Sequence, residues 1–88
     1  MYNYLAEFFA SVLFVYVILA TGNPLAIGAT LALVILFTNT VSMGYVNPAV
    51  AITMAAAGQI SSQEMIGFVL SQILGGLTAL EIYKRYQV

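Results

Sequence analysis

Two places in this 88-residue chain carry residue types that could do chemistry: Asn47-Pro48-Ala49 and Glu7. Pro48 suits the first position of a helix, where its missing N–H costs nothing. Asn47 can then cap that helix with its side-chain oxygen while its amide nitrogen remains a donor. The good helix-forming run over about residues 48–57 is roughly 15 Å long, about half the 30 Å hydrocarbon thickness of a bilayer. A helix of that length starts at mid-depth. Its N-terminus brings about half a positive charge there, which orients water oxygens and opposes cations and protons. Non-helical backbone at that depth must be buried in protein or line a wet cavity, so the spacing points to a pore or a binding site. The plainer alternative, an ordinary helix start, fits Asn23-Pro24; the half length sets Asn47 apart. Glu7 is a carboxylate in or near an apolar span, a functional-site candidate by default. A proton relay would need further titrating partners, and none accompanies it.

Other chemistries are excluded by composition. The chain has no Cys and no His, which removes disulfides, thiolate chemistry, metal sites of zinc type and His acid/base catalysis. No nucleophile–base pair is present, so an enzyme is not expected, nor any metal or cofactor. The charged residues are Glu7, Glu64, Glu81, Lys84 and Arg85, for a net charge of -1, and nothing resembles a nucleic-acid footprint.

The elements that must position these residues are membrane spans. The chain is 62% hydrophobic, with a mean hydropathy of +1.02. A soluble fold this small has too much surface for its volume to hide that apolar area. The class is a polytopic, all-α membrane protein with the lipid bilayer as its surroundings. Residues 1–88 form one membrane domain, with spans over about residues 4–21, 25–41 and 62–83 and a re-entrant half-helix over about 48–57. The N-terminal run lacks a basic region and cleavage site, and is expected to be a first span and not a signal peptide. Ser61-Ser62-Gln63-Glu64 reads as a capping box opening the third span. Three spans place the termini on opposite sides, and Tyr2, Tyr4, Tyr83 and Tyr86 suit interfacial belts. Gly67, Ser71, Gly75 and Ala79 put a small residue at every fourth position of the third span, a helix contact whose plainest neighbour lies in the same chain.

Four segments carry a resemblance to the first half of the major intrinsic proteins, the aquaporin and glycerol-channel family. Ala6-Glu7-Phe8 resembles the family's first-span Ala-Glu-Phe. Ala26-Ile27-Gly28 falls where its second span has Ala-aromatic-Gly. Ser42 to Val50 resembles its Ser-Gly-x-His-x-Asn-Pro-Ala-Val loop. Gln72-Ile73-Leu74-Gly75-Gly76 resembles its third-span Gln-x-x-Gly-Ala/Gly.

The resemblance implies half of an inverted-repeat fold, a plan that brings half-helix N-termini together at the midplane. It implies that Asn47, Pro48 and Ala49 form the pore motif. It implies that Glu7 and Gln72 support the re-entrant loop, Glu7 by accepting from its backbone. Filter-position candidates are Ile27, where the family has an aromatic residue, Tyr45, where it has histidine, and Val50 after the motif. No filter arginine follows Asn47-Pro48-Ala49. The implied function is a channel subunit for water or small neutral solutes that needs a second half, either an inverted copy (a homo-oligomer) or a partner membrane chain. The alternative is a non-conducting structural membrane protein of a larger assembly. Lys84 and Arg85 weakly favour a cytoplasmic C-terminus, opposite to the family's first half.

Overall fold

The computed structural model describes residues 2–86, which form four helices in the order α1 (Tyr2–Thr21), α2 (Pro24–Ser42), α3 (Pro48–Ala56) and α4 (Ser62–Tyr86). Helices α1, α2 and α4, of 20, 19 and 25 residues, are long and apolar enough to cross a membrane. With nine residues, α3 is about 14 Å long at 1.5 Å per residue.

Local chemistry sets the boundaries. Asn23 Oδ1 accepts from the N–H groups of Leu25 (2.9 Å) and Ala26 (3.1 Å), capping α2 with Pro24 inside it. At the start of α3 the Asn47 side chain accepts from Ala49 N–H at 2.8 Å. The α4 capping box is reciprocal: Glu64 N–H donates to Ser61 Oγ and Ser61 N–H to Glu64 Oε1, both at 3.1 Å. Helix α4 runs to Tyr86, beyond the apolar stretch, because Lys84 and Arg85 favour the negative end of the helix dipole and do not break the helix.

Contacts along α1 and α4 advance in the same direction. Tyr4 meets Gly67 and Phe68, Glu7 meets Gln72, Ser11 meets Gly75, and Tyr16 meets Tyr83. The two helices are therefore parallel. Helix α2 folds back on α1 through the short turn at Gly22-Asn23, packing Leu31 and Val34 on Phe14 and Ala10. Helix α4 thus starts on the side where α2 ends. A third crossing between them would have made α4 antiparallel to α1, so α3 enters and leaves on one side.

The small-residue stripe of α4 makes the parallel contact possible. A Cβ on Gly75 would lie 2.6 Å from the Phe8 carbonyl oxygen and 2.8 Å from Ser11 Cβ. The stripe's neighbour is α1 of the same chain. Helix α1 sits between α2 and α4, and α3 packs on α4. The result is an open wall of 43 × 23 × 20 Å, its long axis matching the roughly 40–45 Å of a bilayer with its headgroups.

Candidate functional site

The segment 43–47 leaves helical geometry as soon as α2 ends. Met43 (φ 63°), Gly44 (φ 64°) and Val46 (φ 51°) are all left-handed. Gly44 takes that conformation at no steric cost. Val46 does not, because a β-branched residue there is strained. Two things hold it. Its side chain is buried with Ala10 and Val34, and its N–H donates to Glu7 Oε1 at 2.7 Å.

Glu7 is fully buried and accepts three hydrogen bonds. Oε1 also receives Gln72 Nε2 at 2.7 Å, and Oε2 receives the Ser42 hydroxyl at 2.6 Å. One carboxylate thus ties α1, α2, α4 and the loop together. Such charge-assisted bonds are about twice as strong as neutral ones. Gln72 lies ten residues into α4, about 15 Å from its start, so the anchored loop is deep between the ends of the wall. Ser42 is a member of this site that its sequence context alone did not single out. The signal was its place just after the polar run Thr38-Asn39-Thr40, immediately before the loop.

The loop delivers Asn47 to the open side. Asn47 and Ala49 are exposed, Pro48 and Val50 half-buried. Ala49, Val50, Thr53 and Met54 line an open, mostly apolar hollow of about 270 Å³ along α3. Tyr45 goes the other way. It is buried and stacks edge-on against Phe68, ring centres 5.5 Å apart, with its hydroxyl 3.3 Å from Met43 Sδ. Ile27 is half-buried in the first turn of α2, about 22 Å along that helix from Ser42. Helices α2 and α3 do not pack together among the described residues, so Ile27 and Val50 are not in one cluster. The structure brings together Glu7, Gln72, Ser42 and the loop; it presents Asn47 and Ala49 outward; it separates Ile27 and Tyr45 from them.

Comparison with known proteins agrees along the whole chain. The family pattern described as Major intrinsic protein matches residues 1–88. A Glycerol uptake facilitator protein-like 6 of Lactiplantibacillus plantarum is 33% identical over 95 residues, covering 98% of this chain and 44% of its own. An Aquaporin Z of Photorhabdus laumondii is 36% identical over 61 residues, covering 69% of this chain and 26% of its own. A Lens fiber major intrinsic protein of Gallus gallus is 36% identical over 56 residues, covering 64% and 21%. The chain thus spans less than half the length of each of these relatives. No solved structure matches it significantly.

Proposed function

The chain belongs to the major intrinsic protein family, and from that premise we propose that it is a channel subunit for water or small neutral solutes. The family's members are channels and not enzymes, and the chain is a multi-pass integral membrane protein. Two of its relatives are named for glycerol uptake and as an aquaporin, which sets the solute class carried over to this chain.

The observation that carries this reading is the outward presentation of Asn47 at the start of a helix too short to cross. In it, Asn47 lines the solute path. Its oxygen is committed to the Ala49 N–H, so its Nδ2 group offers a donor to a passing oxygen. The positive end of α3 stands behind it and opposes cations. Pro48 sets the turn of the path and Ala49 keeps it wide. Glu7 and Gln72 hold the loop that delivers them. Val50 and Ile27 make the path's lining apolar at their positions. The wall is open on the side of Asn47, so a second half closes the path, supplied by an inverted copy or by a partner membrane chain.

The test is osmotic swelling of proteoliposomes followed by light scattering, for the unsubstituted chain and for Asn47→Leu and Asn47→Asp. The expected result is water permeability above that of empty vesicles, lost in Asn47→Leu. Permeability equal to empty vesicles, with insertion verified in both orientations, refutes the homomeric channel and leaves the partner-completed one or the non-conducting structural role.

A further inference from the structure

Helix α2 carries one side-chain amide at membrane depth. Asn39 is exposed, and its side chain makes no hydrogen bond among the described residues. The hydroxyls of the same helix do otherwise. Thr30 and Thr38 donate to the carbonyls four residues earlier, and Ser42 donates to Glu7. Asn39 lies about 4.5 Å further than Ser42 from the end of the wall where α2 stops. It is therefore deeper than the loop's Ser42 anchor, where an amide turned to hydrocarbon is costly.

Its direction follows from the loop. Helix α1 stands between α2 and α4, so the three spans make a wall with two faces. Gly44 lies against Ile35, with a Cβ there 3.0 Å from Ile35 Cγ2, and Val46 is buried in a cluster with Ala10, Val34 and Ile35. The loop thus covers one face of the wall and delivers the start of α3 on that face. Asn39 is one helical turn from Ile35 and shares its flank. Gly28 and Ala32, both exposed, continue that flank without bulk. Helices α2 and α3 do not pack together among the described residues. The gap between them has Asn39 on its α2 bank and Asn47 at the head of its α3 bank.

The two amides differ in what they offer. Asn47 has its oxygen committed to the Ala49 N–H and is left with a donor. Asn39 has both groups open, a donor and an acceptor. A hydroxyl also donates and accepts, so Asn39 can meet it in both roles.

We propose that Asn39 is a solute-binding residue of the path, a second hydrogen-bonding station for hydroxyl-bearing solutes, namely water and short polyols such as glycerol. On a flank that is otherwise apolar, it returns hydrogen bonds that the solute gives up on leaving bulk water. This rests on the channel reading above.

The experiment uses the full chain in proteoliposomes, with two readouts. The first is magnetisation transfer from water to the asparagine side-chain amides by solid-state NMR. The second is glycerol and water permeability by light scattering. The Asn39 amide of the unsubstituted chain is expected to receive water magnetisation as readily as that of Asn23 in the exposed turn. Asn39→Leu is close in size, loses no protein bond and is the better helix former. It should lower glycerol permeability about fivefold, the equilibrium factor of one ordinary hydrogen bond. Asn39→Ser, which keeps a donor and an acceptor, should retain most of it. A dry Asn39 amide, the mark of a side chain facing lipid or another helix, overturns the proposal. So does a glycerol permeability unchanged in Asn39→Leu. Permeability equal to empty vesicles in the unsubstituted chain defeats the homomeric channel and this station with it, a failure seen before any variant is compared.

Discussion

Replacing Glu7 by Leu and by Gln should give very different losses, and the difference can be worked from the carboxylate's three bonds. Leu removes every acceptor. It leaves the Val46 N–H and the Gln72 NH₂ group buried without their partner, while the Ser42 hydroxyl keeps the Thr38 carbonyl as an acceptor. At about 1–3 kcal/mol for each of these two donors the sum is roughly 2–6 kcal/mol, a large part of the whole stability of a small domain, about 5–15 kcal/mol. Because the donors share one acceptor, the sum is not strictly additive. Gln behaves otherwise. With its oxygen at the place of Oε1 it keeps both N–H bonds. Its NH₂ then faces Ser42 Oγ, which can accept while turning its own hydrogen to the Thr38 carbonyl, 3.4 Å away. What remains is the loss of charge assistance, about 1–2 kcal/mol in all. The assay is the folded fraction in detergent under denaturant titration, with Val46 amide exchange as the local probe. Glu7→Gln should fold with faster Val46 exchange; Glu7→Leu should lose the loop or the fold. Equal damage from the two would refute the acceptor argument and point to a requirement for the charge itself.

Gly75→Leu should disrupt folding, because even a Cβ there meets the Phe8 backbone at 2.6 Å; Gly28→Ala, where nothing lies within 4 Å, should be neutral or stabilising by about 0.5–1 kcal/mol, and the pair is compared by denaturant titration. Asn47→Ala should cost about 0.5–2 kcal/mol through loss of the cap, whereas Asn47→Asp keeps the acceptor oxygen and should retain the fold, as read by circular dichroism and thermal melting. Phe68→Ala should cost about 3–5 kcal/mol, since Phe68 is fully buried and carries both Tyr4 and Tyr45 on its edges; Tyr45→Phe, losing only a contact to Met43 Sδ, should change stability by less than about 1 kcal/mol. A stability loss in Tyr45→Phe as large as in Phe68→Ala would show that the hydroxyl has a partner of greater consequence.

The order of elements was legible because it is written in residues with single meanings. Asn23-Pro24, Asn47-Pro48 and Ser61 to Glu64 each mark a helix start, and the structure shows the capping bond at each. The small stripe of α4 was legible as a contact for the same reason, since only close backbone approach explains Gly at those positions. The loop was not. Hydropathy has no signature for the left-handed Val46, whose conformation is imposed by Glu7 and by burial against α1 and α2. Tyr45 next to a pore motif reads as a pore residue from its position alone. Its direction depends on the turn at Met43 and Gly44, and the ring ends on Phe68. Ser42 was visible as the first residue of the loop segment, but its role was hidden because a serine among Thr38, Asn39 and Thr40 at a helix end is ordinary until the Glu7 carboxylate opposite it is known.

The placement of the one carboxylate explains why the wall can be both open and rigid. Irregular backbone at depth is tolerated only when its polar groups are satisfied within protein. The loop from Met43 to Asn47 cannot satisfy itself with left-handed turns at three positions. A carboxylate answers this better than a neutral acceptor, since it takes donors from three directions without offering a competing one. Its own desolvation is offset only if all three are in place, so it demands α2, α4 and the loop together. Glu7 and Gln72 are 65 residues apart, and they meet because Gly75 lets α1 and α4 approach. The stripe of small residues, the buried carboxylate and the strained loop are thus one device. Rigidity is concentrated along α1 and α4, and the first turn of α3 is held to them by Ala51, buried with Tyr45, Ile60 and Phe68, so that exposed Asn47 and Ala49 carry no structural duty beyond the cap. That division lets Asn47 stand exposed at the start of a short helix without the fold depending on what covers it.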